Sequence, residues 1–167
     1  MRYYKFIVCI MIASLPTYSD GKTDCVRSEP TSTIASNSPL KIKRLVSNIE
    51  SWVYKEEIEV DPNTKLLIEN KGCESYWIEY KITILKSKKD KKKPYRKLIS
   101  ILELVSRFNE SGINLKKIIS ILKSTPESRI YNKEIYISDN EFGESFTLEK
   151  ERDRDKVKFI LSANIGL

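Results

Sequence analysis

The sequence predicts an α+β domain, a mostly antiparallel sheet of about five strands with about three helices packed on one face. Three observations lead there. The apolar residues recur at three and four positions in some stretches and at two in others. The order of these stretches is helix, two or three strands, two helices, three strands. One sheet with its helices on a single face buries every apolar surface that this order creates.

The first helical period is Ile42, Leu45, Val46, Ile49, Trp52 and Val53, with Ser38 at the position of an N-cap and Pro39 in the first turn. This predicts a helix from about Pro39 to Tyr54. The period then becomes two. "EEIEV" leads through the turn sequence "DPNT" into "KLLIEN". In "YWIEYKITIL", Tyr76, Ile78, Tyr80, Ile82 and Ile84 share one face, and Trp77, Glu79, Lys81 and Thr83 the other. Pairing of this strand with Lys65 to Asn70 makes a hairpin near Cys73.

Leu98, Ile99, Ile101, Leu102, Val105 and Phe108 restore a helical period, with Pro94 near its start and Gly112 beyond its end. A shorter helix carries Leu115, Ile118, Ile119 and Leu122 up to Pro126. "KEIYIS", "ESFTLEK" and "KVKFILSANI" then read as three strands separated by "DNEFG" and "RDRD".

At 167 residues the chain fits one domain. Residues 1–19 read as a secretory signal peptide: "MRYYK" is positive, "FIVCIMIASL" apolar, and Thr17 and Ser19 are small residues where a signal peptidase reads. The apolar run is about half the roughly 20 residues that span a bilayer, so no transmembrane anchor is expected. Residues 20–38 form an irregular lead segment and 39–167 the folded domain. The expected location is periplasmic or secreted.

Cleavage removes Cys9 and leaves Cys25 and Cys73, which in an oxidising compartment predict one disulfide. It closes a loop of about 48 residues, for which chain entropy gives on the order of 4 kcal/mol. Free thiols or an intermolecular bridge are the alternatives. Two thiolates without histidine do not complete a tetrahedral metal site, and the chain has no histidine. No metal or other cofactor is expected.

The net charge is +7, from 30 Lys and Arg against 23 Asp and Glu, spread along the chain. The basic concentration is "KSKKDKKKPYRK", with Lys86, Lys88, Lys89, Lys91, Lys92, Lys93, Arg96 and Lys97, placed as a loop between the strongest strand and the longest helix. It reads either as a solvated loop or as an electrostatic footprint for an acidic protein face, anionic lipid, lipopolysaccharide or glycan. Nucleic acid is not an expected partner, because Tyr95 is the run's lone aromatic and no reading module is present.

Trp77, in "GCESYW", is a second candidate: core if helices cover its face, a partner anchor if they do not. The carboxylates of "EKERDRDK", Glu149 to Lys156, are interspersed with Arg and Lys and read as a neutralised hairpin tip. No phosphate loop, nucleophile elbow or Ser-His or Cys-His pair is present. An enzyme is therefore not expected. The expected function is an exported binding protein that sequesters or inhibits a protein partner, such as an immunity-type protein facing a periplasm-acting toxin. Polyanion binding through residues 86–97 is the alternative.

Overall fold

The computed structural model describes residues 30–46, 52–72, 76–86, 94–137 and 143–166. The expected signal peptide, both cysteines of the expected disulfide, and Lys88, Lys89, Lys91, Lys92 and Lys93 lie outside them. Among the described residues the fold is α+β, built on a seven-stranded antiparallel sheet and two α-helices. The strands are β1 (Ile42–Val46), β2 (Val53–Asp61), β3 (Thr64–Lys71), β4 (Tyr76–Leu85), β5 (Ile135–Tyr136), β6 (Glu144–Arg152) and β7 (Lys156–Ile165), and the helices α1 (Pro94–Ser106) and α2 (Leu115–Ser124). In space the strands run β1-β2-β3-β4-β7-β6-β5.

The largest departure from expectation is at the start. The helix over 39–54 does not form; residues 42–46 are edge strand β1, and residues 53 and 54 open β2, paired as Ile42↔Ile58 through Val46↔Tyr54. Three local features oppose the helix. The Ser38 hydroxyl accepts from the Leu40 amide at 3.2 Å, a turn contact two residues ahead and not a helix cap. Trp52 has φ +47, a left-handed conformation that interrupts a right-handed helix. Ile42, Val46, Ile49 and Val53 are β-branched, which favours pairing once a partner strand is present. Lys41, Lys43 and Arg44 give the sheet edge the charge that discourages edge-to-edge association.

The other elements follow the periodicity. β3 and β4 pair from Thr64↔Ile84 to Lys71↔Trp77, the expected hairpin. Pro94 occupies the first position of α1, where its missing N–H costs nothing. The Asn114 side chain accepts from the Lys117 amide at 3.1 Å to cap α2, which ends at Thr125, extended before Pro126. The strand expected over "KEIYIS" shortens to two residues, while β6 extends to Arg152.

One face of the sheet presents Ile58, Leu66, Ile68, Ile78, Tyr80, Ile82, Phe146, Leu148, Phe159 and Leu161 to Leu98, Leu102, Val105, Ile118 and Leu122 of the helices. The Tyr95 hydroxyl donates to the Leu122 carbonyl at 2.8 Å and ties α1 to α2. Residues 30–38, the described part of the lead segment, join this core: Ile34 is fully buried. The carboxylate of Glu56, also buried, accepts from the Ser32 hydroxyl (2.6 Å) and the Thr33 (2.7 Å) and Ile34 (3.3 Å) amides. Ala35 N–H to Phe108 C=O and Glu110 N–H to Thr33 C=O complete the attachment.

Candidate functional site: the helix-free face of the sheet

Strand alternation sends the residues between the core positions to the opposite face, where none of the described helices packs. Register lines them up in rows. One row crosses the sheet as Lys55, Glu69, Glu79, Ser162 and Thr147, and the next as Glu57, Leu67, Lys81, Ile160 and Glu149. Glu69 stands directly opposite Glu79, an arrangement that destabilises a sheet when left alone. Two lysines resolve it. Lys71 Nζ lies 3.2 Å from Glu69 Oε2 and 2.8 Å from Glu79 Oε2, and Lys81 Nζ lies 2.8 Å and 3.0 Å from the same oxygens. Lys55 adds a third contact to Glu69 at 3.3 Å.

The titration of these groups follows from that ring. Burial raises the Glu69 pKa, but hydrogen bonds from Lys81 and Lys71, with the charge of Lys81 and a contact from Lys55, outweigh it and hold the group at about 2. Burial also raises Glu79, and Lys71 and Lys81 together bring it below the usual carboxylate range. Burial lowers Lys81, yet its bonds to Glu69 and Glu79 hold its pKa above the ordinary lysine value. Glu69, Glu79 and Lys81 are each held in the charged form by the others.

A third row carries the aromatics. Val53, Lys71, Trp77, Asn164, Ser145 and Tyr136 are successive cross-strand partners. Trp77 is 43% exposed and lies under the Lys71 ammonium, 5.9 Å from ring centroid to Nζ. Tyr136, three strands away and so about 14 Å off, is 67% exposed. Between them the Ser145 hydroxyl sits 2.7 Å from Glu134 Oε1 and 2.5 Å from Asn164 Oδ1. Of the two readings left open for Trp77, burial as core does not fit: α1 and α2 pack on the other side of its strand.

The ends of the basic run are engaged. Lys86 Nζ donates to the Asp153 and Arg154 carbonyls. Arg96 and Lys97 belong to the first turns of α1 and not to a loop, and Lys97 pairs with Asp61 at 3.1 Å. Burial raises the Asp61 pKa, but the Asn63 amide and Lys97 bring the net shift downward. Arg96 is exposed. At the tip expected to be neutralised, Lys156 pairs with Asp153 and Lys158 with Glu151. Among the described residues, no three carboxylate or thiol ligands converge on a metal position, and no helix is long and apolar enough to cross a membrane. Comparison with protein-family models, curated proteins and solved structures found no match.

Sequence periodicity already placed Trp77, Glu79 and Lys81 on one face. It did not reach Glu69, Lys71 and Tyr136, which join them only through the register of β3 and β5.

Proposed function

We propose that this chain is an exported, non-enzymatic binding protein that sequesters or inhibits a protein partner, of the immunity type, and that the partner docks on the helix-free face. One observation carries the reading: the exposed large hydrophobic residues among those described, Trp77, Leu85 and Tyr136, all fall on that face. Tryptophan and tyrosine are the residues that most often anchor protein interfaces. The surrounding lysines and glutamates are mutually neutralised, so the face offers shape and aromatic area with little net field.

Polyanion binding through Lys86–Lys97 has less support. Lys86 and Lys97 at its ends already hold partners within the chain.

Affinity capture from a secreted or periplasmic extract, run at low and at high salt with the chain and its Trp77→Ala variant as baits, tests the choice. The expected result is one stoichiometric protein, retained at high salt and weakened roughly 30-fold by Trp77→Ala, the loss of a hot-spot residue. Recovery of only salt-labile acidic material, indifferent to Trp77, overturns the reading and favours the lysine run.

A further inference from the structure

At the opposite edge of the sheet from β1, β5 covers only the beginning of β6. Its pairs are Ile135↔Phe146 and Tyr136↔Ser145, after which a single bridge joins Tyr131 to Leu148, with the Asn132 amide donating to the Leu148 carbonyl at 2.9 Å. That bond fixes the direction of the rest of the edge. Because the Leu148 carbonyl points away from β7, Leu148↔Leu161 is a non-hydrogen-bonded pair of the antiparallel ladder. The ladder continues without a shift through Lys150↔Phe159 and Arg152↔Val157, so these pairs are of the same kind. The main-chain N–H and C=O of Lys150 and Arg152 therefore face outward, and no strand among the described residues pairs with them.

They open onto a recess of about 530 Å³ lined by Glu127, Ser128, Tyr131, Asn132, Lys150 and Arg152. Two of its charges are satisfied. The Lys150 ammonium, almost wholly buried, bonds Glu127 Oε1 and sits over the rings of Tyr131 (5.2 Å) and Phe159 (5.4 Å). Tyr131 Oη donates to the same carboxylate oxygen at 2.7 Å. Arg152 is different: it is exposed, its charge reaches Glu127 and Tyr131 only through space, and it makes no salt-bridge contact among the described residues. The lining thus carries one carboxylate, Glu127, against two cations, Lys150 and Arg152.

We infer that this edge binds an extended, acidic peptide segment, which adds a short strand beside Lys150–Arg152 and places a carboxylate on the Arg152 guanidinium. Edge pairing supplies main-chain hydrogen bonds of no sequence preference, and the unpaired guanidinium supplies the selectivity. The site uses none of the residues of the helix-free face, so it can fail or hold independently of the proposed function.

The probe is a short blocked peptide of alternating threonine and valine with one central aspartate, titrated into the ¹⁵N-labelled chain. The expected result is displacement of the Lys150 and Arg152 amide resonances. Replacing the aspartate by asparagine, or Arg152→Gln in the exposed side chain, weakens binding about tenfold. N-methylation of every second peptide nitrogen abolishes it, and Trp77→Ala leaves it unchanged. Unmoved Lys150 and Arg152 amides at the highest peptide concentration overturn the inference. So does binding indifferent to N-methylation or to the aspartate, or binding that maps to Trp77 and Tyr136.

Discussion

The two faces of β4 differ by one residue of register and by almost everything else. Ile78, Tyr80, Ile82 and Ile84 are buried under α1 and α2, while Trp77, Glu79, Lys81 and Thr83, interleaved with them, face away. The covered face is held by apolar area removed from water, which is non-directional and tolerates no loss of volume. The helix-free face is held by ion pairs around Glu69 and Glu79, which are directional and depend on charge. A surface of flexible lysines is thereby fixed in one arrangement around an exposed indole, the condition for presenting it to a partner at low entropic cost.

A single substitution does the most damage on the covered side. Phe159 is fully buried at the centre of the sheet, on β7 between β4 and β6. Phe159→Ala is expected to cost about 3–5 kcal/mol, from lost transfer energy and the cavity left behind. Urea unfolding reads this as a lower midpoint with little change in slope. A cost below about 1 kcal/mol would mean that the helices do not pack as described.

Glu56 is the exception that sharpens the contrast, a charged residue on the covered face. Its carboxylate serves the Ser32 hydroxyl and two amides of the lead segment, with Arg44 Nε at 3.7 Å. Glu56→Ala strands those donors in a closed site and is expected to cost about 2–3 kcal/mol. Hydrogen exchange should locate the damage: the Ala35 and Glu110 amides, which bond across the junction of lead segment and α1 loop, lose protection first. Uniform loss over the sheet would contradict a local role.

Sequence periodicity revealed much of the covered face and about half of the other. β3, β4, β7 and both helices carry their own period, so local pattern and tertiary burial agree there. Residues 39–54 do not. Their apolar spacing suits a helix, and only the pairing of β1 with β2, together with the left-handed Trp52, decides for strand. The role of Glu56 depends on a segment that arrives from more than twenty positions upstream, which no local window contains. Tyr136 belongs to the aromatic row only because a two-residue strand meets β6 at Ser145. Lysine and glutamate on a strand otherwise signal nothing beyond solvent exposure.

The ion-pair ring gives the open face an acid limit. Glu69, at about 2, and Glu79 both have folded pKa values below the ordinary glutamate value of 4.5. A depressed carboxylate contributes stability that is complete above the unfolded pKa and disappears as pH falls through the folded one. The ring's contribution is therefore expected to be full above about pH 4.5 and to be lost down to about pH 2. Glu69→Gln should flatten the dependence of the melting temperature on pH in that window. Lys81, raised, gives the mirror case: its contribution is complete below 10.5 and declines only as pH rises through the higher folded value. A variant that melts with the parent's acid profile would show that the ring does not link folding to pH.

The smallest expected effect on stability is the most informative about function. Trp77 is 43% exposed, its ring meets the Lys71 ammonium at a distance of 5.9 Å, and its removal opens no cavity beneath the helices. Trp77→Ala should change unfolding free energy by no more than about 1 kcal/mol, the value of an exposed cation–π contact with a little packing. A core tryptophan would cost about 3–5 kcal/mol. Urea unfolding of this variant and of Phe159→Ala thus places each aromatic on its face by magnitude alone. If Trp77→Ala is near neutral for folding and still weakens partner capture, the indole is retained for recognition. If it costs as much as Phe159→Ala, the helix-free face is covered in solution by something that protects the ring, and docking there must first displace it.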